Sequence, residues 1–474
     1  MVNPLQGRFV TAAVLAAMIA AEWFALRAGT LGAVLVAVLI ALAALLLLAR
    51  ADIGRIGIGA ALASACTLTW NGWFVGPVRP GDVLVLIALL CFAAAAPRTA
   101  FRSPPWWVKQ LILALVLLVV LIVLLPPDPN YLEGRTVLNA IGQPTPTTTG
   151  SIPLANIGVA AKFIVAVGAI PVAFTAAAIL DRRAVRWLGI AFASGTALSG
   201  LAAFVDHTHI ASIGHYLTHL PNTGDRQVGF ANQPNFLAAG LVLAVPFACW
   251  LTLSTRRGER WVGLSSLLFL VLGEYASGSR GGAVTVVITV VVSFALLPRS
   301  RPYLPGIVLS GLVATGIIAV LFPSFGAEIL RVTRLAGGTD TAGSDSVRAI
   351  VGAQGLHDFG YSPIHGIGLQ VSTQASQVYI QELASGGLIL LVAMSVYMLG
   401  GMRTAWRLMA QHQLAAAVLA AMSATLVLNI FEADLTDRFY YVPEAILIAL
   451  LTRTRMDATA RSDVPESSPH LVAV

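Results

Sequence analysis

Charge is scarce in this sequence. Only 11% of its 474 residues are Asp, Glu, Lys or Arg, while 57% are hydrophobic, and the mean hydropathy is +0.83. A soluble domain carries about 25% charged residues, so this chain could not cover a soluble surface of its size. The same numbers exclude intrinsic disorder and collagen-like or disulfide-scaffold architectures. Lysine is almost missing: Lys109 and Lys162 are the only two, so the basic side chains are nearly all arginine. Cysteine is rare too. Cys66, Cys91 and Cys249 lie far apart in apolar runs, with neither a metal spacing nor a disulfide pattern, and read as small core residues. Period-two alternation is also lacking, which argues against a β-barrel. The remaining class is an all-α, polytopic transmembrane helical bundle.

What the sequence has in quantity is apolar runs long enough to span a bilayer. They fall at 9–27, 30–49, 56–76, 82–97, 108–126, 155–180, 186–205, 235–254, 261–279, 282–298, 304–323, 378–400, 412–430 and 439–452, giving 12–14 spans. The first lacks a small-residue cleavage site and reads as a retained helix. The 29 basic residues exceed the 22 acidic ones, for a formal net charge of +7. A cytoplasmic N-terminus places roughly 19 of the 29 in cytoplasmic loops. These include Arg182, Arg183 and Arg186; Arg256, Arg257 and Arg260; Arg299 and Arg301; Arg403 and Arg407; and Arg453 and Arg455. Cytoplasmic loops of membrane proteins are basic anyway, so the surplus needs no nucleic acid. Three regions result: N-terminal transmembrane helices over 1–154, a second transmembrane region over 155–455 whose long external loops at 206–234 and 324–377 are of a length usual for functional segments, and a polar, disordered cytoplasmic tail over 456–474. The external loop at 127–154 is Pro/Thr-rich and offers little chemistry. No internal repeat is visible, which weighs against an inverted-repeat transporter.

Arginines on the external side need a reason, since the positive-inside bias disfavours them. They include Arg226, Arg280, Arg331, Arg334, Arg348 and Arg438. A guanidinium grips phosphate through paired hydrogen bonds, so the group suits a lipid-carried diphosphate; the plain alternative is snorkelling or pairing with acids. Arg280 sits in Ala276-Ser277-Gly278-Ser279-Arg280-Gly281-Gly282, where glycines allow close approach and leave N–H groups for an anion. Gly224 to Asn235 is polar and enters the next span through Gln233-Pro234-Asn235, with Asn232 or Asn235 expected to cap that helix. Gln377 and Gln381, with Glu382 beside them, lie a turn apart at the start of the 378–400 span. The histidines His207, His209, His215 and His219 read as solvated. No metal site is visible in the external loops and no cofactor is expected.

The order of these elements resembles the O-antigen ligase and polymerase superfamily, membrane glycosyltransferases of the GT-C type that also include the protein O-oligosaccharyltransferases. The matching pieces are Gly229 to Ala238, Ser279-Arg280-Gly281-Gly282, Arg331 with Leu335, Arg348 ahead of Pro363-Ile364-His365-Gly366-Ile367-Gly368, and Ser376-Gln377 followed by Gly387. They cover roughly 160–450. Glu432 to Pro443 is similar to the protein O-oligosaccharyltransferase branch. The resemblance implies a large helical periplasmic loop and an active site facing the periplasm, in the bacterial inner membrane, with both termini cytoplasmic. It implies metal-independent transfer of a glycan from undecaprenyl diphosphate to the lipid A core of lipopolysaccharide, with polymerase or protein-glycosylating activity as neighbouring readings and lipid-linked-sugar transport as the rival of a different class. Arg280, Arg331 and Ser376 take catalytic positions; Arg226, Gln233, Asn235, Arg348, Gln377 and Gln381 take substrate-binding ones. One departure stands out: the family has histidine where this chain has Ser376, which leaves His357, His365 and Glu382 as other groups for activating the acceptor.

Overall fold

The computed structural model describes residues 53–74, 79–95, 104–133, 152–220, 226–321, 339–369, 377–432 and 435–462. Among them there are helices and turns but no strand. The helices are α1 (Ile53–Thr67), α2 (Pro80–Ala95), α3 (Trp106–Leu124), α4 (Pro129–Glu133), α5 (Ile152–Ile164), α6 (Ile170–Leu180), α7 (Ala184–His207), α8 (Ile213–Thr218), α9 (Pro234–Thr252), α10 (Arg257–Ser277), α11 (Arg280–Leu296), α12 (Leu304–Leu321), α13 (Thr339–Tyr361), α14 (Val378–Leu408), α15 (Gln413–Leu428) and α16 (Val442–Ser462). Every apolar run read from the sequence within the described residues coincides with one of these helices; those at 9–27 and 30–49 lie outside the described residues.

Among the described residues, five helical stretches are long and apolar enough to cross a membrane: α3, Ala155–Leu180, α7, α9 and α14. Four shorter apolar helices, α1, α2, α11 and α15, accompany them. The chain is therefore an all-α, multi-pass helical membrane protein. Ala155–Leu180 is continuous because a π turn at Val165–Ala169 links α5 to α6 just before Pro171, where proline leaves no N–H for a regular helical bond.

Burial sorts the helices. The apolar window of α9 is 89% buried, against 39% for α3, which turns Leu113, Val116, Val120 and Val123 outward. Lipid tails are as apolar as leucine, so membrane helices gain most from close backbone contact through small residues. A Cβ added at Gly195 of α7 would stand 2.0 Å from the Cys66 carbonyl oxygen. One at Gly273 of α10 would stand 2.4 Å from the Cα of Gly200 on α7.

Two expectations are corrected. The run at 56–76 is a helix only to Thr67, because Leu68 to Phe74 folds sideways against the segment before α9. There the Gly72 N–H donates to the Phe230 carbonyl at 2.9 Å, and Trp70 meets Phe230 edge-on at 4.9 Å. At the other terminus α16 continues to Ser462, so the first residues of the expected disordered tail are helical. Residues 463–474 lie outside the described residues.

The polar connections form two layers at opposite ends of the helices. One joins the starts of α7, α10 and α15 to the ends of α9 and α11. In it Arg186 binds Glu259, and Arg299 donates to Leu253 O and Gln413 Oε1. The other joins the starts of α9, α11 and α14 to the ends of α10 and α15. In it Arg226 donates to Asn235 and to Ser277 O, and Val378 N donates to Asn429 O at 2.9 Å. The arginines assigned to cytoplasmic loops around α7, α9, α10, α11, α14 and α16 gather at the first end.

Candidate active site

The second layer is assembled around the turn from α10 to α11. Gly278 ends α10 in the left-handed conformation (φ 58°), which glycine adopts without strain. Ser279 then caps α11, its hydroxyl accepting from Gly282 N at 3.3 Å. This turn is clamped by the segment before α9: Gln227 N donates to Ala276 O at 2.9 Å, and Arg226 Nε to Ser277 O at 3.0 Å. The same guanidinium donates to Asn235 Oδ1 at 2.5 Å. Arg226 and Arg280 are thus fixed on either side of one turn.

Arg280 opens α11 and makes a two-pronged ion pair with Asp345 of α13, one arm at 3.3 Å. The pair is part-exposed, so it orients the guanidinium more than it stabilises the fold. Arg348 follows Asp345 by three positions on the same helix face. It is half-buried and makes no hydrogen bond or ion pair among the described residues. Phe431, just beyond α15, closes the other side: a Cβ on Gly281 would stand 2.8 Å from the Phe431 Cβ.

A second set of contacts repairs a break in α14. Gly387 has φ 59° and ψ −153°, which interrupts the helical ladder. Irregular backbone at membrane depth is tolerated where protein satisfies its polar groups, and Ser362 to Gly368 supplies the partners. Ile367 N and Gly368 N donate to the Ala384 and Ser385 carbonyls, and Leu388 N and Ile389 N donate to the Pro363 and Ile364 carbonyls, all at 2.9–3.2 Å. Gly366 and Gly387 make the approach feasible: a Cβ on Gly366 would stand 2.4 Å from the Ser385 carbonyl carbon, and one on Gly387 2.5 Å from that of Ile364. His365 rides on this inserted segment with Nδ1 2.6 Å from Ser362 Oγ, beside a pocket of about 250 Å³ that it lines with Tyr361 and Pro126.

The sequence-named residues thus divide. Arg226 and Asn235 pair beside the turn that Arg280 follows, and Arg348 lies one helical turn from Asp345, the partner of Arg280. Gln381, one turn into α14, has a buried Oε1 with no hydrogen-bond partner among the described residues, while Gln377 is the exposed residue preceding α14. Arg331, Arg334 and Ser376 lie outside the described residues. Neither asparagine caps α9: the cap residue is Gln233, which gives no side-chain bond, and Pro234 takes the first turn instead. Asn235 accepts from Arg226, and the backbone N–H of Asn232 donates to Asn71 Oδ1 at 3.0 Å. Arg438 leaves the free external set, because it is buried in an ion pair with Asp82 at 2.5 Å. His209, His215 and His219 are exposed, as read from the sequence; His207 is half-buried, edge-on to Tyr275 at 5.1 Å.

The expected anion cradle at Gly281-Gly282 is also corrected. Glu274 fills that place: a Cβ on Gly282 would stand 2.1 Å from its Oε1. Buried at 5% exposure, this carboxylate lies at the positive end of α11, within electrostatic range of Arg226 and of buried Glu432. Sequence reading passed over Glu274, although a lone acid inside an apolar run is itself a functional signal. Among the described residues no cluster of three or more His, Cys, Asp or Glu could hold a metal ion.

Two comparisons bear on this geometry. Residues 264–387 match the family model described as O-antigen ligase. The matched span runs from α10 to the break in α14, taking in Glu274, Arg280, Asp345, Arg348 and Gln381. It bears out the resemblance to the O-antigen ligase and polymerase superfamily, a family that suggests a glycosyltransferase-like activity in a membrane setting. No curated protein matches the chain.

Proposed function

From the O-antigen ligase domain at residues 264–387, we propose that the protein transfers a glycan from undecaprenyl diphosphate to the lipid A core of lipopolysaccharide, at the periplasmic face of the bacterial inner membrane. The observation that carries this reading is the gathering of Arg226, Arg280 and Arg348 at the end of the bundle away from most of the other arginines. A sugar hydroxyl of the acceptor attacks the anomeric carbon, the bond from that carbon to the diphosphate oxygen breaks, and the lipid diphosphate leaves. Negative charge grows on the leaving group in the transition state, so fixed cations aimed there lower the barrier.

Arg280 is the main electrostatic catalyst in this scheme. Asp345 holds its guanidinium fork in place until a diphosphate competes for it. Arg226 adds a second cation, oriented by Asn235, which makes Asn235 a positioning residue. Arg348 has no partner to give up among the described residues and takes a phosphate oxygen or a glycan hydroxyl. The buried Gln381 Oε1 is an unused acceptor for a sugar hydroxyl. Arg331 and Ser376 retain the catalytic positions that the resemblance gives them, and Gln233 and Gln377 the binding ones. For the acceptor's proton His365 fits well, since Ser362 holds Nδ1 while Nε2 makes no bond among the described residues.

The test is transfer in vitro, with purified protein, lipid-linked glycan and lipid A core, without nucleotide and with chelator. Glycan joined to the core is the expected product. Longer carrier-linked chains alone would identify a polymerase, and no covalent transfer, with carrier movement across vesicles, would identify a transporter.

A further inference from the structure

The arginine-rich end of the bundle is more than a run of basic loops. It contains a cavity of about 530 Å³ into which Arg182, Arg186, Arg299 and Arg453 all face. Asp457 is the one carboxylate lining it, shared by Arg453 at 2.7 Å and Arg182 at 3.6 Å. Arg186 is neutralised from behind by Glu259 and lies 5.1 Å from the centre of the Trp250 ring. Arg299 faces only neutral oxygens, those of Leu253 and Gln413. The Nε of Arg453 is buried with no hydrogen-bond partner among the described residues. A buried donor without a hydrogen bond is costly, and an arriving acceptor would recover that cost.

Two helix starts face the same space. Gln413 and Leu414 open α15, and their cap residue His412 gives no side-chain bond to the first turn. Val185 and Arg186 belong to the first turn of α7, where Arg183 likewise gives none. Uncapped helix starts offer N–H groups and positive dipole ends to an anion. Four guanidiniums, a buried donor and two helix starts therefore converge on this cavity, where two carboxylates answer them, Asp457 in its lining and Glu259 behind Arg186.

We propose that this cavity binds a phosphate group, carried as the headgroup of an anionic phospholipid. The lipid source follows from placement: the cavity lies where the apolar stretches of α7, α9 and α15 end, the depth of headgroups in a bilayer, and Trp250, Leu414 and Leu450 give it an apolar wall for the glycerol and first acyl carbons. It stands at the opposite helix ends from Arg226 and Arg280, so its occupancy can be read without any transfer assay.

The full chain, purified in a neutral detergent, is incubated with phosphatidylglycerol or phosphatidylcholine, and retained lipid is counted by native mass spectrometry. The expected result is a preference of about tenfold for phosphatidylglycerol, lost in R453Q and in R299Q and kept in R407Q, whose arginine is exposed outside the cavity. Arg299 is exposed, so R299Q keeps the test open if R453Q does not fold. Equal retention of both lipids, or a preference that survives in both cavity variants, overturns the proposal. Stabilisation against heat by inorganic phosphate but not by phosphatidylglycerol also overturns it, in favour of a soluble anion.

Discussion

The two ends of this bundle use the same side chain for different work. At the arginine-rich end, guanidiniums meet acids one turn away, as in Arg453 with Asp457, or at the start of a packed helix, as in Arg186 of α7 with Glu259 of α10. At the other end, arginines are few and each is held by a distinct device: Arg226 by a carbonyl and an amide, Arg280 by an acid on a different helix, Arg438 by a buried partner. The first arrangement suits setting the chain in a bilayer and, by the lipid proposal, gripping it. The second suits aiming charge at one place. Counting arginines tells the two ends apart; their partners separate those that hold the fold from those available to act.

The sharpest way to break this contrast is inside the external set itself. Arg438→Ala removes the cation from a buried ion pair with Asp82, and breaking a buried pair by deleting one partner costs about 3–5 kcal/mol; little folded protein should survive, measured as monodisperse yield and thermal midpoint. Arg280→Ala should keep the fold and lower transfer about 10²–10³-fold; full activity in that variant removes Arg280 from the mechanism. Gly387→Ala comes next. A side chain at φ 59° beside the Ile364 carbonyl should cost about 1–3 kcal/mol, seen as a lower midpoint. Gly306→Ala, with nothing within 4 Å of the new Cβ, should leave it unchanged.

Arg348→Ala should cost transfer about tenfold, some 1.4 kcal/mol, with no change in midpoint, because no described ion pair is lost. The smallest effect belongs to the arginine-rich end. The hydrogen bond from Arg186 holds the Glu259 carboxyl below its usual range, outweighing the upward push of burial, with Ser254 and Arg256 adding to the lowering. A carboxyl lowered by folding stabilises the protein above its unfolded value and loses that contribution as pH falls through the folded one. As pH falls from about 5 to about 3 the wild type should therefore lose a contribution of order 1 kcal/mol or less that Glu259→Gln never had. Parallel melting curves for the two proteins across that range would refute it.

Much of the fold was legible because the bilayer imposes a simple code. Spans must be apolar for about 20 residues, and each apolar run in the described residues became a helix. The misreadings occur where tertiary contacts intervene: Leu68 to Phe74 is apolar enough to continue α1 but folds onto Phe230 instead. The site was half legible. Arg226, Arg280 and Arg348 stood out as charges on the disfavoured side. Glu274 did not, although it was a lone acid in an apolar run, because nothing in the sequence says that it lies against Gly282, eight positions later and around a turn. Nor could spacing show that Pro363 to Gly368 mends the break at Gly387, since those bonds join segments whose separation in sequence follows no rule.

The sequence by itself determined the class of protein, the helices and the sorting of arginines between two ends, because hydropathy and charge act along the chain against a planar environment and need no partner to be read. Tertiary structure alone decided which arginine is buried with an acid, which is aimed by an amide and which has no partner among the described residues. Those outcomes depend on distances between helices far apart in sequence, and a guanidinium's chemistry is set by what stands within a few ångströms of it.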